Sequence, residues 1–110
     1  MAKRVLFSIQ PAPTFTAPVK IPRPGEEPAE ITVTFKHMTR EQMSDFIDRS
    51  SGAKKGEDVD LVMEMVSGWS GVDTPFSAEA VGLLIENYQG AIPALLGAFI
   101  SSLTEGRRKN

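Results

Sequence analysis

The sequence contains no cysteine and only one histidine, the residues from which disulfide bridges, thiolate nucleophiles and zinc sites are made. Without cysteine there is no disulfide framework and no thiolate nucleophile, which fits a reducing cytoplasm. No apolar run approaches the ~20 residues that span a bilayer, and Val5-Leu6-Phe7 is too short for the apolar part of a signal peptide. These absences predict a cytosolic protein with no membrane partner.

Catalytic and metal-binding patterns are also missing. His37 has no cysteine or second histidine with which to share a zinc ion. Asp58 and Asp60 resemble the start of a calcium loop, but the glycine and the distal glutamate of such a loop are not in their places. No nucleophile elbow, zinc-protease motif or phosphate-binding glycine loop occurs. We therefore expect no enzyme activity, no metal and no cofactor.

Positive charge is absent from a long stretch of the chain. Residues 57–105 contain eight Asp and Glu residues and no Lys or Arg, whereas the basic residues precede Gly56 or belong to the final "RRKN". A nucleic-acid groove needs a basic stripe, so we expect no nucleic-acid partner for this half. Two interpretations remain, a solvated acidic face or an electrostatic match between the basic first half and the acidic second half of neighbouring copies.

The first third of the chain has the composition of strands and turns. "RVLFSI" at 4–9 predicts a short strand, and "EITVTFKH" at 30–37 alternates Ile31, Val33 and Phe35 with polar residues. Six of the eight prolines fall between these segments, which excludes a helix or a central strand there. A brief edge strand at residues 19–21 is compatible with them. We expect it to pair antiparallel with 30–37 through a turn at Pro24-Gly25.

The remainder of the chain predicts helices. Thr39 and Gln42 form a capping-box pattern for a helix that ends near Ser50. A second helix is expected from about Asp58 to Ser67, a third after an N-cap at Ser77, and a fourth from near Ile92 to a stop at Gly106. The prediction is an α+β protein. We expect residues 1–110 to form a single domain, with a small antiparallel sheet of two to three strands in residues 1–37 and a bundle of about four helices in residues 38–110.

The sole tryptophan lies in "GWSGVDTPFS", between the second and third predicted helices. One interpretation is a connector in which Trp69 packs across the corner, and the other is an exposed anchor, because tryptophan is favoured at interface hot spots. In the connector interpretation, Gly68 ends the second helix, Gly71 permits a turn, Pro75 prevents the third helix from starting too early, and Ser77 is its N-cap. These loop residues are Gly68, Gly71, Asp73, Pro75, Phe76 and Ser77.

The second predicted helix carries apolar residues on two faces. Val59, Val62 and Val66 make one stripe, while Leu61 and Met65 fall outside it. Such a helix in a small protein is either sandwiched or meets a partner. Methionine is also common on adaptable binding surfaces. We therefore predict that Leu61, Met65 and Trp69 border a surface for a partner or for self-association.

The order of several motifs resembles the tail assembly chaperones of long-tailed bacteriophages and prophages. The resemblance runs from about residue 14 to the end and rests on Ile21-Pro22 before Pro24-Gly25, "TVTFKH" before "MTREQ", the Gly-Trp loop before Phe76-Ser77, the Leu84/Tyr88 helix, and "RRKN". It implies a non-catalytic protein of the host cytoplasm that binds the tape-measure protein and is absent from the finished virion. It also implies homo-oligomers and, through a frameshifted longer form, contact with tail-tube subunits. A structural virion component, such as a tail-tube or head–tail connector subunit, is the alternative.

Overall fold

A computed structural model describes residues 6–54 and 56–105. These residues form three strands and four helices. In chain order they are β1 (Thr14–Arg23), β2 (Glu26–Lys36), α1 (Arg40–Ser51), α2 (Asp58–Met65), β3 (Val66–Ser70), α3 (Ala78–Asn87) and α4 (Ala91–Thr104). The strands make one antiparallel sheet in the order β1-β2-β3. The predicted α+β class is confirmed, whereas the single-domain organisation stays a prediction.

The hairpin of β1 and β2 confirms the predicted pairing, with Val19 opposite Ile31. Gly25 has a φ of 71°, which fits a proline–glycine turn that needs a left-handed residue in its second central position. The brief strand predicted at 19–21 was too short, because β1 spans all ten residues from Thr14. Its prolines are tolerated since β1 is an edge strand, where only one side needs N–H donors.

The predicted strand at 4–9 was wrong for its described part. Residues 6–9 belong to no strand, and residues 4 and 5 lie outside the described chain. The third strand is instead β3, from a segment predicted as the end of the second helix and the start of a connector. Gly68 therefore does not stop a helix but lies within the strand, opposite Thr34. The edge of β2 that does not face β1 offers hydrogen-bond partners to residues 66–70. This pairing outweighs the helical preference that the pattern of residues 66 and 67 indicates.

One face of the sheet forms the base of the hydrophobic core. Alternate residues of β1 and β2 are buried and their neighbours Lys20 and Thr32 are exposed, as a period of two requires. The helices cover this face, with α4 packed against β1 and α2 against β2 and β3. Lys36 of β2 also donates a hydrogen bond to the Met63 carbonyl of α2 (3.0 Å). The buried strand residues are Ala17, Val19, Ile21, Ile31, Val33, Phe35 and Val66.

A cluster of four phenylalanines joins the helices to the sheet. Phe99 of α4 is fully buried, and its ring centroid lies 5.4 Å from that of Phe35 in β2 and 6.2 Å from that of Phe15 in β1. The ring of Phe46 in α1 meets Phe99 edge to face at 6.1 Å. Phe99 thus contacts two strands and a second helix at a single point.

The predicted helix starts agree with the structure. The Thr39 side chain accepts a hydrogen bond from the Gln42 amide (3.2 Å), and the Gln42 side chain accepts one from the Thr39 amide (2.9 Å), which completes the capping box. The Ser77 hydroxyl accepts a hydrogen bond from the Ala80 amide (3.0 Å). Gly106, predicted as the final helix stop, lies outside the described residues.

An exposed ion pair links α1 and α2. Arg49 donates two hydrogen bonds to the Glu64 carboxylate (2.8 and 2.9 Å) and one to Asp45 (2.9 Å). The bidentate contact with Arg49 lowers the pKa of Glu64, against a smaller opposing effect of burial. Because the pair is exposed, it contributes little to the free energy of unfolding.

We expect Phe99→Ala to lower the free energy of unfolding by roughly 3–5 kcal/mol, because the cavity would remove contacts with three other rings. Gly97→Ala on the same helix is the matched control. A Cβ there meets nothing within 4 Å, so it should stabilise the protein by about 0.5–1 kcal/mol. Urea denaturation followed by circular dichroism measures both. A loss below about 1 kcal/mol for Phe99→Ala would contradict the central place of this residue.

We expect the ion pair to make stability depend on pH. Because the folded pKa of Glu64 is depressed, its contribution is present above the ordinary value of 4.5 and disappears as the pH falls through the lower folded value. The stability difference between the unmodified protein and Glu64→Gln should therefore shrink from about pH 6 to about pH 3. Urea titrations across this range measure it, with exposed Glu86→Gln as control. A difference that stays constant with pH would contradict the assignment.

Candidate binding grooves

Trp69 lies on the inner face of β3, opposite the buried Val33. Its indole Nε1 donates a hydrogen bond to the Thr74 carbonyl (2.8 Å), and its ring meets that of Phe76 edge to face at 5.2 Å. Through these contacts Trp69, which precedes the loop of residues 71–77, holds the second half of that loop. Trp69 remains half-buried. Part of its side chain therefore packs against the loop that follows it, and part is exposed to solvent.

Positive φ and short polar contacts shape the loop after Trp69. Gly71 has a φ of 84°, and a Cβ at this position would lie 3.8 Å from the Ile31 Cα. The Asp73 carboxylate accepts a hydrogen bond from the Thr74 hydroxyl (3.0 Å). Pro75 is exposed, and Ser77 then caps α3. The loop runs close to β2 at one end and enters a helix at the other.

The first groove lies between α1, α2 and the start of α4, and we call it the helical groove. Its volume is about 280 Å³. Phe46, Val62 and Met65 are buried and form its floor, while Leu61 is half-buried at its wall. Ile92 and Leu96, one helical turn apart on α4, form the other wall, and the remaining lining residues are Ser50, Ala53, Lys54 and Asp58.

The second groove lies at the turn end of the hairpin, and we call it the Trp69 groove. Its volume is about 540 Å³. Ile21 and Ile31 of the sheet form its base and Trp69 one side. On α3, Leu83 is 56% exposed beside it. Its other lining residues are Arg23, Ala29, Gly71, Val72, Asp73, Thr74, Ala80, Leu84, Asn87 and Tyr88.

The structure separates the three residues of the predicted partner surface. Leu61 and Met65 line the helical groove, whereas Trp69 lines the other groove. Met65 is only 2% exposed and offers almost no surface of its own. The partner role of these residues stays a prediction. Ile92 and Leu96 were missed as groove residues, although their spacing of four on an apolar helix was visible in the sequence.

A separate apolar feature precedes the sheet. The side chains of Leu6, Phe7 and Ile9 are 84%, 90% and 86% exposed. Large apolar side chains that are exposed together mark surfaces that meet a partner. We call residues 6–13 the N-terminal arm.

The described ranges contain no group of three or more His, Cys, Asp or Glu side chains able to hold a metal ion. In residues 6–54 and 56–105, no single helix is long and apolar enough to cross a membrane, although α3 and α4, bent by 114°, pass that test as a pair.

Comparison with known proteins gives a family match over the full chain. The sequence model of the family described as phage tail assembly chaperone matches residues 1–110. No curated protein and no solved structure gives a significant match.

We expect Leu61→Asp and Met65→Asp to differ sharply in stability. Aspartate at position 65 would place an unpaired charge in the core and should cost at least about 3 kcal/mol, whereas position 61 is half-buried and can direct a carboxylate to water. Thermal unfolding followed by circular dichroism compares the two. Equal losses would show that the helical groove is not open at Leu61, and would remove it as a candidate site.

Proposed function

This chain belongs to the phage tail assembly chaperone family, and we propose that it binds the tape-measure protein of its phage and keeps it soluble until tail-tube subunits polymerise around it. The family match over residues 1–110 carries the proposal. The role is one of binding, without catalysis. It places the protein in the host cytoplasm during assembly and outside the mature virion.

The helical groove is the proposed client site because its form suits an amphipathic helix. Helix-in-groove recognition needs an apolar slot that accepts side chains from successive turns of the client. Leu61 on one wall and Ile92 and Leu96 on the other supply apolar contacts above a closed floor. A groove of about 280 Å³ admits a few anchoring side chains rather than a whole helix.

Charges at one part of the helical groove can orient the client. Lys54 and Asp58 both line it and carry opposite charges. Opposite charges at a rim act mainly on specificity and association rate, whereas the apolar walls supply most of the affinity. A long helical client offers many similar apolar stripes, so many copies of the chain could cover it even if each groove binds with modest affinity.

The acidic second half of the chain fits the solubilising part of the proposal. Residues 57–105 contain no Lys or Arg, so this half of each bound copy would carry only negative charge. Net charge of one sign opposes aggregation. A frameshifted longer form that reaches tail-tube subunits is the further partner we propose, on the family resemblance alone.

The direct experiment recovers the tagged chain from phage-producing cells before lysis and identifies its partners by mass spectrometry. We expect the tape-measure protein to co-purify with the unmodified chain and to be reduced at least about tenfold with Leu61→Asp. Ser44→Asp is the matched control, since it adds the same charge at an exposed position of α1 outside both grooves and should leave recovery unchanged.

Two outcomes would overturn the proposal. Recovery of no tape-measure protein, together with stoichiometric chain in purified virions, would identify a structural component such as a tail-tube or connector subunit. Equal tape-measure recovery by folded Leu61→Asp would reject the helical groove as the client site.

A further inference from the structure

We propose that the N-terminal arm is a strap that closes over the helical groove of its own chain and seats Phe7 and Ile9 between the groove walls. In the described chain the strap is open, since Leu6, Phe7 and Ile9 are all more than four-fifths exposed. The closed strap does not depend on any client. Its competition with a client helix rests on the proposed function, because both would occupy the same groove.

The arm is anchored near the helical groove. The His37 amide donates a hydrogen bond to the Pro13 carbonyl (2.9 Å) and fixes the end of the arm. Just beyond it, the ring centroid of Phe15 lies 6.2 Å from that of Phe99. The Phe99 centroid in turn lies 6.1 Å from that of Phe46, which belongs to the groove floor. Two ring contacts therefore connect the root of the arm to the floor of the groove.

The arm is long enough to cover this groove. The two ring contacts place the centroids of Phe15 and Phe46 at most about 12 Å apart. An extended chain advances about 3.3 Å per residue, so Ile9 reaches about 20 Å from Phe15 and Phe7 about 26 Å. The arm can therefore bend back past Phe46 and place both side chains at the walls. Because Phe7 and Ile9 alternate with Ser8, both point to one side of an extended arm.

The chemistry of the groove suits these two side chains. Its walls are apolar, with half-buried Leu61 on α2 and half-buried Ile92 and Leu96 on α4. A groove of about 280 Å³ has room for a few side chains, which is what the arm supplies. Seating Phe7 and Ile9 there removes apolar surface from water, and the gain is proportional to the area buried.

The covalent link favours the arm of the same chain over a segment from another molecule. A short tether holds its ligand at an effective concentration in the millimolar range, about a thousandfold above a second copy in a micromolar solution. Pro11 and Pro13 restrict the backbone between the two apolar side chains and β1. Less conformational entropy is therefore lost when the arm closes.

A closed strap acts as a filter for clients. An arm between Leu61 and Leu96 covers the contacts that a client helix needs, so the client has to displace it. The apparent affinity for the client then falls in proportion to the fraction of chains whose groove is open. Weakly apolar segments are excluded, whereas a strongly apolar helix opens the strap.

Disulfide trapping tests the strap in the absence of tape-measure protein. The chain has no cysteine, so an introduced pair reports one contact. Ser8→Cys is paired with Ala53→Cys at the groove. The matched control pairs it with Ser44→Cys, which is exposed on the other face of α1 from the floor residue Phe46. In dilute protein we expect the first pair to close an intramolecular disulfide at least about tenfold faster than the control pair.

Phe7→Asp in the first pair should abolish this advantage, since it removes one apolar contact and brings a charge to an apolar wall. Equal rates for the two pairs would overturn the strap, as would a rate that Phe7→Asp leaves unchanged. Disulfides that form only between chains would show that the arm meets another copy. Faster trapping of Ser8→Cys with Leu83→Cys would place the arm in the Trp69 groove. Either result overturns the proposal.

Tape-measure recovery tests the competition separately. Phe7→Asp holds the groove open, so we expect it to raise the recovery at least about threefold over that of the unmodified chain. Ser8→Asp, which adds the same charge on the other side of the arm, should leave the recovery unchanged. Equal recovery with Phe7→Asp and the unmodified chain would reject the competition. If none of these chains recovers tape-measure protein, the proposed function fails, and the trapping rates still decide the strap.

Discussion

The packing of Phe99 against the rings of Phe15, Phe35 and Phe46 holds α4 and α1 against the sheet. It fixes α4 across the sheet and brings α1 to the same point. A three-stranded sheet with one apolar face needs such a cover, because the burial of that face is the main favourable term in folding. The direction of α4 then places Ile92 and Leu96 beside α2, which creates the helical groove.

The elements with local causes could be predicted from the sequence. The alternation of Ile31, Val33 and Phe35 predicted β2, and the Thr39–Gln42 pair predicted the start of α1. The third strand could not be predicted in this way, since residues 66–70 become a strand by pairing with β2, more than 30 positions earlier. The length of β1 was missed because the cost of Pro18 depends on edge position, which is a tertiary property.

The candidate sites were less predictable than the fold. Helical periodicity showed that Leu61 and Met65 lie outside the main apolar stripe of α2. It could not show that α2 ends at Met65, that β3 follows directly, or that Met65 is buried there. Trp69 was recognised as an anchor, whereas the groove beside it is formed by Ile21 and Leu83, from distant parts of the chain. Grooves depend on packing angles between elements, and local sequence patterns do not indicate those angles.

We propose that this chain keeps a tape-measure protein soluble by binding it. The most direct measurement is the soluble fraction of the tape-measure protein from the same phage, expressed alone, with the unmodified chain, and with Leu61→Asp. We expect the tape-measure protein to be largely insoluble alone, soluble with the unmodified chain, and again insoluble with the variant. A soluble fraction that does not change when the unmodified chain is added would contradict it.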